Sequence, residues 1–311
     1  MPRPPRAGPE TVCLGDAMTD IGAALSAPLA TGSDTPAAIV VRQGGSAANT
    51  AAWLTHLGAA AGLIARVGAD PYGAAAASDL EARGVRSYLT VDRDAMTGVC
   101  IVLVGPDGER TMVPDSGANF RLLPADVPVE AIAAARRLHV SAYAVFGLAR
   151  PAARRALDVA RAAGVAVSVD AASAAPLAAA GPTTFFDAIG TDLLLVANRD
   201  EAEVLTDQAE PGPAVVALAR RVGTAVVKLG GSGAMWSDGT EVIHVRTRPV
   251  EPLDTTGAGD AFAAALLHAL DEGAGPAQAL RVAHGVAAEA CRVPGGRPPL
   301  DAGSSIIGRL V

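Results

Sequence analysis

Short apolar runs alternate along this chain with longer stretches in which apolar residues return every third or fourth position. Thr11–Leu14 is the first such run and predicts a buried strand. Residues 50–58 carry an apolar helical face that closes at Gly58, a residue suited to a left-handed helix end. From Ala61 to Val91 the order reads strand, turn at Asp70-Pro71-Tyr72-Gly73, helix, strand. Residues 97–114 form two apolar runs around Pro106-Asp107-Gly108, a hairpin signal. Beyond Arg136, units of about 30 residues each pair a helix with a short apolar strand. The strands fall near residues 137–146, 165–171, 192–198 and 224–229; helices include residues 151–164, 183–190 and 200–207. Strands alternating with helices imply a mostly parallel sheet covered on both faces, with right-handed crossovers. A hairpin turning at Ser237-Asp238-Gly239 follows, then two more helices, the second over residues 276–293. Between Ile21 and Gln43 the period is not helical: Pro28, Gly32 and Pro36 interrupt it, and residues 37–43 alternate as short strands do.

Composition changes this picture little but narrows the function. The 311 residues suffice for a large core, half of them are apolar and only 3% aromatic, so Ala, Val and Leu build the interior. A net charge of −7 without a Lys/Arg block argues against nucleic acid or an anionic membrane surface as partner. Cys13, Cys100 and Cys291 are scattered and suit buried reduced thiols rather than disulfides or zinc. Residues 1–10 read as a proline-rich, loosely held tail with no signal-peptide core, and no run reaches membrane-spanning length. A soluble cytoplasmic protein is the expectation.

The densest chemistry lies in Asp254-Thr255-Thr256-Gly257-Ala258-Gly259-Asp260, followed at once by an apolar helix. Small residues there bring backbone amides together at a helix's amino end, where the dipole favours an anion. Asp260, in the first turn, is placed to take a proton from an attacking hydroxyl. Amides plus base read as phosphoryl transfer to an alcohol; the plainer reading is a glycine-rich turn with an acid that starts a helix. Asp16 and Asp20 follow the first strand, where α/β sheets place ligands, although Asp16 equally fits a turn that bonds its own backbone. Gly44-Gly45 precede a helix and allow a ligand's close approach, or an ordinary junction. Asn198 and Glu201 have capping-box spacing. The loop Gly230-Gly231-Ser232-Gly233 lacks the ending of a Walker A loop, and His284 is a lone histidine on an Ala-rich helix.

The string from Asp254 to Asp260 and the earlier Gly44-Gly45-Ser46-Ala47-Ala48-Asn49 resemble the two signatures of the ribokinase-like (PfkB-type) carbohydrate kinases, over roughly residues 11–300. The resemblance implies a ribokinase-like α/β domain over residues 11–311, a doubly covered, mostly parallel central sheet with a small β-strand lid from about 21–43 and 97–116. It implies ATP and Mg²⁺ as cofactors, with K⁺ a further candidate. Asp260 would be the base, and the amides of Gly257, Ala258, Gly259 and Asp260 the anion hole. Asp254 and Thr256 would help hold the monovalent cation. Asp16, Asp20, Gly44, Gly45, Asn49 and Asn119 would meet the substrate, while Asn198, Glu201, Lys228, Gly230, Gly233 and His284 would meet the nucleotide, Glu201 reaching Mg²⁺ through water. Ser46 stands where ribokinases carry Lys, and no Glu occurs near His139–Tyr143, so both departures point away from ribose. The expected activity is ATP-dependent phosphorylation of a small sugar. The alternatives are a nucleoside kinase, of adenosine or pseudouridine type, or a silent sugar- or nucleotide-binding regulator. Exposed lid edges also suggest a homodimer.

Overall fold

A computed structural model describes residues 10–300 apart from Gly108 and Pro249; the rest of the expected tail, residues 1–9, and residues 301–311 lie outside the described residues. Glu10, assigned to that tail, is buried instead and accepts hydrogen bonds from Tyr88 Oη (2.5 Å) and Arg86 Nη1 (3.3 Å).

The chain opens with β1 (Thr11–Leu14), leaves for a small sheet with β2 (Met18–Leu25) and β3 (Ala37–Gly44), and returns through β4 (Ala61–Gly68) and β5 (Arg86–Asp92). It leaves again through β6 (Gly98–Val104) and β7 (Arg110–Asp115). Then come β8 (Arg137–Ser141), β9 (Ala166–Asp170), β10 (Leu193–Asn198), β11 (Gly223–Lys228), β12 (Ala234–Ser237) and β13 (Val242–Val245). The large sheet has nine strands in the order β13-β12-β11-β10-β9-β8-β1-β4-β5; β12 runs antiparallel to both its neighbours, β11 and β13, and the other pairings are parallel. From β1 the chain builds outward on one side through β4 and later on the other through β8. The crevice past the carboxyl ends of β1 and β8 is therefore where crossovers diverge, and ligands of open α/β sheets bind there.

Alternation places the core on both faces of this sheet. Val12 and Leu14 join one cluster with Leu138, Val140 and Leu195, whereas Cys13 joins the other with Leu63, Val196 and the helix Ala258–Asp271. In that helix Ala261, Ala263, Ala264 and Ala265 are fully buried. Their small side chains let it lie close against the helix Ser46–Leu57, which brings the two glycine-rich stretches to one place.

Two local readings change. Asp70-Pro71-Tyr72-Gly73 begins the helix Pro71–Ala82 rather than a free turn, since Asp70 accepts from Gly73 N (2.9 Å) as N-cap and Pro71 suits the first helical position. The helix Pro211–Val222 was not among the expected elements, because Pro211, Gly212 and Pro213 disguise its first turn. The hairpin between β6 and β7 is closed by Gly105 N donating to Glu109 O (2.9 Å); Gly108 lies outside the described residues.

The small sheet, ordered β3-β2-β6-β7, covers the crevice as a lid. Asp20 lies within β2, not in the turn after β1, because that strand already begins at Met18. Met18, Asp20, Cys100, Met112 and Pro114 face the cavity beneath. The opposite face carries Ile39, Val41, Ile101 and Val113, exposed by 43–59%. No helix of the described residues is long and apolar enough to cross a membrane.

Candidate active site

A cavity of about 1070 Å³ runs from the lid to the helix Pro276–Ala290. The expected signature turn forms its floor. Gly257 adopts φ 71°, and a Cβ there would overlap the backbone of Gly296, so only glycine fits. The helix Ala258–Asp271 follows, its first i→i−4 bond running from Ala261 N to Gly257 O (2.8 Å). The amides from Ala258 to Asp260 precede that bond and crowd together at the positive end of the dipole, although Ala258 N also reaches Thr255 O at 3.3 Å. Lys228 Nζ adds a full charge, since it would lie 3.3 Å from a Cβ placed on Gly259.

Asp260 lines the cavity beside these amides. Its Oδ1 accepts from Ser46 Oγ (2.8 Å) and its Oδ2 from Asn49 Nδ2 (2.9 Å). The second glycine motif thus supplies the two donors that hold the acid of the first. Burial pushes the carboxyl up to about 7, with the Asp170 charge assisting, against the downward pull of Asn49, Ser46 and Lys228.

At the lid end, Asp16 lines the cavity and also accepts from Ser46 N (3.1 Å) and Ala47 N (3.3 Å). It therefore serves the helix amino end with lone pairs to spare for a ligand. Burial raises the Asp16 pKa above its usual value and pushes that of Asp20 up to about 6. Gly45, at φ 97°, packs so tightly on Asp16 that a Cβ would lie 2.5 Å from its carbonyl oxygen. Gly44 does not line the cavity; it packs behind Asp20, and its carbonyl accepts from Arg297 Nη2 (2.6 Å). Asn119 reaches the cavity wall, but its carboxamide is spent on the main chain, accepting from Ala17 N (3.1 Å) and donating to Ala17 O (3.0 Å) and Ser116 O (3.2 Å). Asn49 is likewise shared between Asp260 and Arg297.

At the far end, Asn198 and Glu201 form the anticipated capping box, with Glu201 N donating to Asn198 Oδ1 (2.9 Å) and Asn198 N to Glu201 Oε2 (2.7 Å). Both also line the cavity, so the capping and ligand-facing readings coexist. Burial lifts the Glu201 pKa. Gly230, Gly233 and His284 line the same end, His284 standing edge-on to Phe262 at 5.2 Å. Among the described residues no three of His, Cys, Asp and Glu gather as a metal cage. The carboxylates of Glu201 and Asp170 face the cavity instead, which suits a divalent ion carried in on phosphates and reached through water.

Asp254 and Thr256 do not offer free side chains to a monovalent cation. Arg110, from lid strand β7, donates to Asp254 Oδ1 (2.6 Å), to Thr256 Oγ1 (2.8 Å) and to Thr255 Oγ1. The other Asp254 oxygen accepts from Gly295 N (2.8 Å). Burial would raise this acid, yet the Gly295 and Thr256 hydrogen bonds and the Arg110 charge hold it below the usual carboxylate range. A guanidinium therefore occupies the place assigned to the cation, and the side-chain donors do not fit one.

Four contributors escaped the sequence reading. Asp170, ion-paired to Lys228 (2.9 Å), ends an apolar parallel strand as Asp16 nearly does, and that position was a usable signal. Arg110, Arg297 and the Ser46 hydroxyl carry no such signal, since long-range folding alone brings them to the acid and its turn.

Known proteins point the same way. Residues 9–302 match the family model described as pfkB family carbohydrate kinase. Ribokinase of Mus musculus is 30% identical over 265 residues, 82% of this chain and 80% of that protein. Fructokinase of Klebsiella pneumoniae is 32% identical, over 73% of this chain and 76% of that one. The structure of Arabidopsis thaliana ribokinase complexed with ribose and ATP superposes with a TM-score of 0.84 at 26% identity, covering 98% and 99% of the two chains.

Replacing Asn49 by Leu removes a donor that favours the ionised acid. Asp260 is then expected to titrate above about 7 when its carboxyl carbon is followed by NMR; an unmoved midpoint refutes the assigned contact.

Proposed function

Since the chain belongs to the pfkB family of carbohydrate kinases, we propose that it transfers the γ-phosphoryl group of ATP to a hydroxyl of a small carbohydrate. The observation that carries this reading is Asp260, an acid lifted to about 7 and lying beside the first-turn amides of its helix and an ammonium. ATP would lie along the end lined by Asn198, Lys228, Gly230, Gly233 and His284, its terminal phosphate at the Gly257–Asp260 turn. The acceptor would lie under the lid against Asp16 and Asp20, which accept from its hydroxyls. Asp260 takes the proton of the attacking hydroxyl while the helix amides and Lys228 balance charge on the moving phosphoryl group. Glu201, with Asp170 nearby, would hold Mg²⁺ through water, and the ion would neutralise phosphate charge. The lid would exclude water that could otherwise accept the phosphoryl group. Buried Cys13 and Cys100, left as free thiols, suit a cytoplasmic setting.

A nucleoside acceptor has one specific observation in its favour. Met112, Phe120 and Tyr143 all line the cavity, exposed by 54%, 42% and 39%. They form an apolar wall on which a base or similar ring could lie. ADP release measured over a panel of sugars and nucleosides decides between the two, and silence across the whole panel rejects both.

With any accepted substrate, kcat/KM is expected to fall about tenfold per pH unit below about 7 and to level off above it, because the protonated acid cannot accept a proton. Asp260→Asn should lower kcat by about 10²–10⁴-fold with little change in ATP binding; near-normal turnover removes Asp260 as the base. Arg110 supplies the charge beside the turn, so rates in choline chloride and KCl at equal ionic strength should agree within about twofold. A strong, specific K⁺ activation overturns that assignment. The apolar outer lid face with Ile39, Val41, Ile101 and Val113 fits a second copy of this chain. Sedimentation should find a dimer that Val41→Glu dissociates, and a monomer at all concentrations rejects it.

A further inference from the structure

Arg297 lies far from the signature turn in sequence yet is fully enclosed, with a side-chain exposure of 4%. Its guanidinium has three partners. Nη1 pairs with Asp79 on the helix Pro71–Ala82, Nη2 donates to Gly44 O (2.6 Å), and Nε donates to Asn49 Oδ1 (3.1 Å). Arginine offers donors only, so it can face Asn49 only through the amide oxygen. That fixes the amide's orientation and turns Nδ2 toward Asp260 Oδ2, 2.9 Å away. Without Arg297, the amide is free to rotate by half a turn and present an oxygen to the carboxylate, exchanging a donor for a repulsive acceptor.

The surroundings allow little other freedom. A Cβ on Gly296 would overlap Asn49 Nδ2, so the chain passes directly against the amide. Trp53 Nε1 holds that segment by donating to Gly296 O (3.0 Å), and Gly295 N donates to Asp254. Asp79, which anchors Arg297, also accepts from Arg83 Nε (2.8 Å), and Arg83 donates to Pro298 O (2.6 Å). The guanidinium is thus braced from two helices and the carboxyl-terminal segment.

We propose that Arg297 is a positioning residue for the phosphoryl-transfer base: braced by Asp79, it locks the Asn49 amide so that its N–H group points at Asp260. The catalytic consequence rests on the kinase reading, while the orientation of the amide does not. The other groups that bear on Asp260 include Asp170 on β9, Lys228 on β11, Cys13 on β1, Tyr143 after β8 and the Ser46 hydroxyl, while the Arg297 charge itself also acts on Asp16 and Asp20.

Two measurements test this in Arg297→Met and Arg297→Lys. The Asp260 carboxyl, followed by NMR in protein without substrate, should titrate higher in Arg297→Met by about one pH unit, the order expected for exchanging a donor for an acceptor. Arg297→Lys retains one donor and should lie between it and the parent protein. In turnover assays, kcat for Arg297→Met at pH 7 should fall about fivefold with the acidic limb moved upward, while KM for ATP changes by less than about threefold. Joined to Asp260→Asn, the Arg297→Met change should lower kcat no further. An unmoved Asp260 midpoint in folded Arg297→Met overturns the proposal, and so does full additivity in the double variant. Should Arg297→Met fail to fold, Asp79→Asn loosens the same brace and leaves Arg83 its partner in Pro298; no upward shift there is equally decisive against the idea. Absence of turnover on any substrate removes the kinase reading alone, because the titration is read without one.

Discussion

A carboxylate buried at the amino end of a helix is the constraint around which this molecule is arranged. Burial raises Asp260 and penalises its charge, and hydrogen bonds from Ser46 and Asn49 pull the other way. The balance leaves the carboxyl pushed up to about 7 from its usual value near 4. Either influence alone would spoil it. An acid without donors would stay protonated, and one in water would be too weak a base to draw a proton from an alcohol.

Those donors come from the opposite end of the chain, and the sheet explains how they arrive. Because β1 sits between β8 and β4, the helix that follows the first lid excursion lies alongside the helix that follows the signature turn. Alanines on the latter let the two approach closely enough for Ser46 and Asn49 to reach Asp260. The lid joins the same crevice from above, bringing Asp20 to the cavity wall and Arg110 to the signature turn. Arg110 makes the state of the lid and the charge beside the turn a single variable, since the residue that closes over the cavity also pairs with Asp254.

Few cations line the cavity of this acidic chain of net charge −7, and two of them, Lys228 and Arg110, are each held by a carboxylate. Lys228 pairs with Asp170, Arg110 with Asp254 and Arg297 with Asp79. The pairing orients each cation and lowers the cost of burying it. It also leaves the helix amides, which need no counter-ion, as the exposed positive surface at the centre of the site.

The alternation of apolar runs and helical faces determined the parallel sheet, and the small-residue turn ahead of an apolar helix determined where backbone amides gather beside an acid. These are local matters: period, turn chemistry and amide geometry are written within a few neighbouring residues, so Gly257, Gly45 and Asp260 were legible. Which hydroxyl, amide or guanidinium stands against that acid depends on contacts between residues more than two hundred positions apart, as Asn49 to Asp260 and Arg297 to Gly44 are. No local pattern encodes them. For the same reason Asn119 read as a ligand contact although its amide belongs to the backbone, and Asp254 and Thr256 read as cation donors although an arginine from the lid had taken them. Only packing decides how many lone pairs and N–H groups a side chain has left for a substrate.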